Sequence, residues 1–313
     1  MTFKESMMNK TTIALLTAAA LGTSGLAAAQ TDGPNFSGRV DIRFNDVEDS
    51  QVSGSNASSK LAISGGSDDA IAGLSTFYYA RIALLENDNS AFNAPDESYG
   101  NSIDYAYTGF EGDFGQLSFG IDDDLLYKYV GAYTDLYRGV GPATGGGGLY
   151  ANVNRFGQDA SIQYSIDVQN FSVAAYADTA DDGNGGLNRT QLAGSVNLGA
   201  LDLGVAYSDN DIDNNDDQIA LGGSVDVGIA SFRATYLDDA EGNNPVHAAA
   251  VVPLSDIFTA TVGYSVTDNT DDDNEVNAML MADLGGGLDL NVSARDSDTD
   301  GRDGVSVGAR YNF

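Results

Sequence analysis

The sequence lacks the residues that cross-link many small exported or metal-binding proteins. Its 313 residues contain no cysteine, no tryptophan and a single histidine. The absence of cysteine excludes a disulfide framework. His247 has no cysteine and no second histidine with which to share a zinc ion, so we expect no zinc site. A large hydrogen-bonded sheet is one way to stabilise a fold without such links.

Basic residues are also scarce. The chain has 14 Lys and Arg against 46 Asp and Glu, which gives a formal net charge of -32 at pH 7. A surface this acidic excludes nonspecific binding of nucleic acid, which requires a basic face. A disordered acidic chain is the alternative, but 16 Tyr, 13 Phe and regularly spaced aliphatic residues favour a folded protein.

Long apolar runs are missing from all but the N-terminal region. No later stretch approaches the ~18 consecutive apolar residues of a membrane helix. The N-terminal region has Lys4 and Lys10, an apolar run over residues 11–26, and three alanines at residues 27–29. This pattern predicts a cleaved secretory signal peptide over residues 1–29 and an exported mature chain without a helical span.

The remaining residues, 30–313, have the pattern of one all-β domain. The first predicted strand, Phe36–Asn45, and the last, Gly304–Phe313, both alternate apolar and polar side chains with a period of two. Sixteen such strands can be assigned, joined alternately by short turns and by long polar segments. An antiparallel up-and-down meander with this asymmetry is typical of an outer-membrane barrel, with tight periplasmic turns and long outer loops.

The alternation alone does not distinguish a barrel in lipid from a soluble sandwich, which remains the alternative fold. Three observations favour a transmembrane β-barrel. The strands approach the roughly 9–11 residues that cross a bilayer. An even strand number brings both ends to one side, so the last strand can pair with the first. Closure also removes the open sheet edges that lipid would not tolerate.

The longest connection, residues 122–154, lies between the predicted strands Gly115–Ile121 and Gln158–Val168. A loop of this length is usually functional. It combines apolar residues that require contact with protein and acids that require water or cations. We therefore predict that it folds into a wet lumen and packs on the wall, with its acids at a constriction. The acids are Asp122, Asp123, Asp124 and Asp135.

Four basic residues fall on the polar faces of the first three strands, which is a concentration in a chain with few cations. We predict that they form a basic wall of the constriction, opposite the loop acids, which would create a transverse field. The alternative is that they pair with local carboxylates such as Asp41. These residues are Arg39, Arg43, Lys60 and Arg81.

Three acidic runs, residues 209–217, 268–275 and 296–303, suggest calcium. The first begins like an EF-hand, but Asn214 stands at the position of the required glycine and Ala220 at that of the final glutamate. We therefore predict no metal site and no cofactor, apart from possible weak binding of Ca²⁺ or Mg²⁺ at the acidic loops.

No set of residues indicates an enzyme. The run Gly145–Gly148 lacks the Lys-Ser/Thr and the strand–helix context of a phosphate loop, and no G-x-S-x-G elbow occurs. We expect a protein without catalytic turnover.

The combined pattern resembles the general diffusion porins of Gram-negative outer membranes. The signal peptide, the alternation of turns and loops, the long third loop after GQLSFGID and the terminal VSVGARYNF carry the resemblance. Tyr311 and Phe313 are similar to the terminal aromatic signal of that family. The resemblance implies a sixteen-stranded barrel in the outer membrane, a homotrimer, and a third loop folded inward. The run GVGPATGGGG departs from the family pattern, and the lack of tryptophan leaves any aromatic girdle to Tyr and Phe.

The expected function is passive diffusion of small hydrophilic solutes and ions, with a weak preference for cations because of the acidic loops. A closed or plugged outer-membrane barrel with an adhesive or structural role is the alternative from another class. A soluble, secreted calcium-binding β protein is the third hypothesis.

Overall fold

The fold is an antiparallel β-barrel in the computed structural model of the chain. The structure describes residues 34–48, 53–55, 59–71, 74–84, 103–138, 161–179, 187–210, 217–239, 244–267, 273–299 and 301–313. The predicted signal peptide, the run Gly145–Gly148 and most of the acidic positions in the long loops lie outside these ranges. Within them, no helix has the length and apolar character of a membrane span.

Sixteen long strands form the barrel. Their bounds are β1 Asn35–Val47, β2 Lys60–Ile71, β3 Leu74–Ala83, β4 Ile103–Gly112, β5 Gly115–Ile121, β6 Ser161–Val168, β7 Phe171–Thr179, β8 Leu187–Asn197, β9 Leu201–Asn210, β10 Gln218–Asp226, β11 Ser231–Asp239, β12 Val246–Pro253, β13 Phe258–Thr267, β14 Asp273–Asp283, β15 Leu288–Ser297 and β16 Gly304–Asn312. The segment Ser53–Ser55 adds a short ladder to β1. One helix, α1 (Leu125–Tyr129), and a 3₁₀ turn (Gly131–Tyr133) follow β5.

Each strand pairs with its neighbours in sequence, and β16 pairs with β1 over nine residues. We call this β1–β16 junction the seam. Its register matches Asp41 with Arg310 and Phe44 with Val307. The seam closes the sheet, which leaves no long open edge, as the sequence predicted.

The polarity of the two faces of the sheet is the reverse of that in a soluble protein: polar side chains point inward and apolar side chains point outward. On β13, Thr261 and Ser265 are buried inside the barrel, whereas Val262 is 54% exposed and Tyr264 is 47% exposed on the outside. An exposed apolar outer face is stable only in contact with lipid or another apolar surface. The predicted sixteen-stranded transmembrane barrel is therefore confirmed.

Glycine conformation and local side-chain hydrogen bonds explain why the short turns are tight. In the turns after β8 and β10, Gly199 and Gly228 adopt φ values of 84° and 85°, a region that favours glycine. The side chains of Asn197 and Asp226 accept hydrogen bonds from the N–H groups of these two glycines, at 2.9 and 2.7 Å. Such turns close each hairpin with few residues.

Candidate functional site

The third loop lies inside the barrel. Leu125 and Leu126 of helix α1, and Val130 directly after it, are all buried against the inner wall. The wall there is built mostly from small side chains, which leave room for a helix. These wall residues are Ala174, Tyr176, Ala193, Ala206, Ala220 and Leu237, on β7 to β11. The prediction that the loop folds into the lumen holds for the described part, residues 122–138; residues 139–154 lie outside the described ranges.

Glycine allows the loop to lie flat on this wall. A Cβ on Gly204 of β9 would overlap the carbonyl oxygen of Tyr129. A Cβ on Gly222 of β10 would lie 2.9 Å from Tyr133 Cδ2 and 3.0 Å from Val130 Cγ1. The close fit of helix and wall therefore depends on these two missing side chains.

Gly204→Ala should displace the end of α1 towards the lumen. The added methyl must move the Tyr129 carbonyl, and overpacking of this kind costs about 1–3 kcal/mol. We expect a lower unfolding temperature and a lower single-channel conductance. Gly194→Ala on the neighbouring strand is the control, since its Cβ would meet Ser172 O at an ordinary 3.4 Å. Equal unfolding temperatures and equal conductances in the two variants would contradict this close fit of helix and wall.

Polar contacts fix the same segment. The Leu125 N–H donates to Gln191 Oε1 at 2.7 Å, and Lys128 Nζ donates to Gln163 Oε1 at 2.6 Å. Hydroxyl pairs 2.9 Å apart add two more links, Tyr129 with Ser172 and Thr134 with Thr235. The loop is thereby held on β6, β7, β8 and β11, so it forms a fixed part of the wall.

The four predicted loop acids contact donors at the base of the loop or within it. Asp122 pairs with Lys128 at 2.6 Å. Asp123 accepts a hydrogen bond from the Tyr105 hydroxyl at 2.6 Å. Asp135 accepts one from the Tyr127 hydroxyl at 2.7 Å.

Asp124 is fully buried and caps α1. Its Oδ1 accepts a hydrogen bond from the Tyr127 N–H at 2.8 Å, and its Oδ2 lies 3.3 Å from an Arg189 nitrogen. Burial raises the pKa of the Asp124 carboxyl, while Arg189 and the Tyr127 N–H act in the opposite direction. Because Asp124 has no exposed surface, its carboxylate does not face lumen water. For this residue the expected lumen-facing position is wrong, since capping and the ion pair bury it.

The four predicted basic residues lie on inward positions of β1, β2 and β3. Arg39 faces Lys60 across the β1–β2 pair and lies within electrostatic range of Arg81. Arg81 covers the ring of Tyr105 at 3.9 Å. Since Tyr105 also donates to Asp123, one basic and one acidic residue of the predicted constriction meet on the same tyrosine. Whether these four residues and the loop acids Asp122, Asp123 and Asp135 together line a constriction stays a prediction.

Arg43 shows that local pairing also occurs. It donates to Asp41 through Nε at 2.9 Å and through Nη2 at 2.8 Å. Asp41 is buried and also binds Arg310. The pairing with Asp41 that the sequence left open is therefore present for this arginine.

The far end of the described loop reaches across to β12 and β15. The ring of Tyr137 stacks on His247, with centroids 5.9 Å apart. Arg138 forms an ion pair with Asp289, and its carbonyl accepts a hydrogen bond from Ser293 Oγ at 2.7 Å. These contacts anchor the end of the described loop on β12 and β15.

Sequence reasoning missed several residues of the site. Arg310 follows the inward Ser306 and Gly308 at even spacing, so its position could have been read from the alternation. Arg189 and Gln191 hold the loop but carried no sequence signal, because their partners lie more than 60 residues away. In the described ranges, no group of His, Cys, Asp and Glu is arranged to hold a metal ion.

Solved structures of outer-membrane proteins share the fold at low sequence identity, and three of them serve as examples. OmpT, an outer membrane protein of Vibrio cholerae, matches with a TM-score of 0.69 and 16% identity over 92% of this chain and 100% of that one. OmpF of Salmonella typhi, in complex with daunomycin, matches with 0.71 and 14% over 90% and 97%. An anion-selective porin from Comamonas acidovorans matches with 0.69 and 15% over 90% and 99%. No curated protein sequence matches significantly.

A closed barrel with an apolar exterior, a polar lumen and an inward loop defines an outer-membrane diffusion channel. A sequence model of the Gram-negative porins matches residues 14–302. The chain therefore belongs to the Gram-negative porin family, as the terminal strand and the third loop suggested.

Proposed function

We propose that this chain forms a water-filled channel for small hydrophilic solutes and ions, without catalytic turnover. The observation that carries the proposal is the position of the third loop, which lies along one wall of the barrel. Below it, towards the short turns, a cavity of about 770 Å³ remains. Polar residues of the loop and of β3 to β8 line this cavity, among them Lys128, Glu111, Gln116, Asp167 and Ser172. This open space favours a channel over a plugged, adhesive barrel.

A weak preference for cations is the finer part of the proposal. Among the residues of the predicted constriction, positive and negative charges nearly balance. The balance has other partners than the sequence suggested: Lys128 and Arg189 pair with loop acids, while Asp41 pairs with arginines of the wall. The net charge of -32 is concentrated in the long loops. Because the predicted constriction is nearly neutral, this charge has its main effect at the mouth of the channel. An acidic mouth raises the local concentration of cations.

Planar-bilayer recording tests this function. The purified protein should conduct, and its reversal potential under a potassium chloride gradient should indicate modest cation preference. The preference should shrink as salt rises, because the Debye length falls from roughly 10 Å at 0.1 M to roughly 3 Å at 1 M. Folded protein that inserts without conducting would favour the closed, structural barrel. Anion preference at low salt would contradict the role of the mouth.

We also propose that the channel is a homotrimer in the outer membrane, with residues 1–29 removed on export. One structure of OmpT from Vibrio cholerae, which shares 14% identity with this chain, is described as a trimer form. Conductance that appears in steps of three would agree with this assembly, and N-terminal sequencing of the exported protein tests the cleavage. Single steps from a protein that migrates as a monomer would contradict the trimer.

A further inference from the structure

Five charged side chains alternate in sign on the lumen side of the seam, the adjoining strand β15 and the third loop. We call them the seam network: Arg43, Asp41, Arg310, Asp289 and Arg138. Asp41, on β1, lies at its centre. Its side chain is 1% exposed and accepts from Arg43 at 2.8 Å and from Arg310 at 2.6 Å. One buried carboxylate therefore holds two guanidinium groups, one from each strand of the seam.

The register of β15 with β16 places a second carboxylate, that of Asp289, in the seam network. Arg310 is the register partner of Asp41 on one side and of Asp289 on the other. Asp289 forms an ion pair with Arg138, which the third loop delivers to this wall. Its neighbour Ser293 donates to the Arg138 carbonyl at 2.7 Å. The network thus joins the seam to the end of the described loop.

The arginines and the central carboxylate of Asp41 differ in access to water. The side chains of Arg43, Arg310 and Arg138 are 13%, 12% and 21% exposed, against 1% for Asp41 and 11% for Asp289. Arginine keeps its proton in proteins. Three permanent positive charges and two carboxylates leave the network with one positive charge, and Arg39 of β1, within electrostatic range of Asp41, Arg43 and Arg310, adds another beside it. This positive charge faces a confined aqueous passage, where charge acts strongly on passing ions.

We propose that Asp41 and Asp289 are specificity-determining residues of the channel, because they set how much positive charge the seam presents to a solute. This inference rests on the proposed channel function. Asp41 positions two arginines that belong to strands, so its effect is electrostatic. Asp289 also positions an arginine of the loop, so its effect is both electrostatic and steric.

Asp41→Asn and Asp289→Asn test the proposal in planar bilayers. Each change adds one net positive charge to the seam network, so both should shift the reversal potential towards anions at 0.1 M salt. Asp289→Asn should also change the single-channel conductance, since it releases Arg138, whereas Asp41→Asn should leave the conductance close to that of wild type. Asp256→Asn is the matched control, since it makes the same charge change on an exposed turn.

The proposal would be overturned if the reversal potentials of Asp41→Asn and Asp289→Asn shifted no more than that of Asp256→Asn. A change of conductance in both variants without a shift of the reversal potential would also overturn it, and would assign a structural role instead. Heat-modifiable gel mobility reports whether each barrel is folded. If Asp41→Asn does not fold, the double variant Asp41→Asn with Arg310→Gln keeps the net charge, and its reversal potential should match wild type. A wild-type protein without conductance would refute the channel function itself.

Discussion

Deletion of residues 126–148 is expected to raise the single-channel conductance and to admit larger solutes, while the barrel remains folded. The described part of this segment occupies the lumen along β7 to β11, where α1 and the 3₁₀ turn pack on the wall. A helix with its side chains is ~10 Å thick, so its removal from one wall should roughly double the conductance. Gly120 and Ser161 are register partners on β5 and β6, so the residues left between these strands can still connect them.

The measurements are single-channel conductance and the size cut-off for neutral sugars in a liposome swelling assay. Deletion of residues 211–216, which connect β9 to β10, is the control for shortening a long connection. It should leave the size cut-off unchanged. A folded variant without residues 126–148 that still excludes the same sugars would show that the loop does not limit the passage.

Arg189→Met is expected to release the loop from its wall. The guanidinium donates to Asp178 Oδ2 at 2.9 Å and lies 3.3 Å from Asp124 Oδ2. Both carboxylates are buried, and removal of one partner from a buried ion pair costs about 3–5 kcal/mol. We expect an unfolding temperature well below that of wild type, together with noisier and larger channel currents, because Asp124 also caps the helix.

Arg302→Met provides the control for loss of an arginine. Arg302 lies 3.8 Å from Glu275 and is 27% exposed, so its pair should contribute less than about 1 kcal/mol. The double variant Arg189→Met with Asp124→Asn should recover part of the lost stability, since the buried carboxylate at the helix is gone. Wild-type unfolding and quiet currents in Arg189→Met would show that the loop is held by its apolar contacts alone.

Much of the architecture could be predicted from local pattern. The first strand, predicted as Phe36–Asn45, spans Asn35–Val47, and the last, predicted as Gly304–Phe313, spans Gly304–Asn312. Alternation at a period of two depends on the strand alone, so it is visible without partners. The third loop was found through its length and its mixed composition. Its helix was not predicted, because Leu125–Tyr129 is too short to show a helical period and forms by packing against the wall.

The charge pairs of the site were harder to predict from the sequence. The sequence shows which residues are charged, but not which of their side chains meet in the folded barrel. Asp124 was expected to face water and is buried beneath a helix that it caps. Asp41 was considered as one local partner, whereas the structure shows it shared between two arginines. Basic residues on one face of a strand give the same alternating sequence pattern in two cases: when they face a solute, and when they pair with a buried carboxylate.

The sequence by itself determined the all-β class, the number of strands, the lipid-facing and lumen-facing sides, and the loop that enters the barrel. These properties follow from the two-residue repeat, from the length and even number of the strands, and from the length and composition of the connections. Only the tertiary structure decided which charges meet. Asp41 and Arg310 are 269 positions apart along the chain, and they become neighbours because the last strand pairs with the first in one particular register. That register depends on closure of the whole sheet, which no local stretch of sequence encodes.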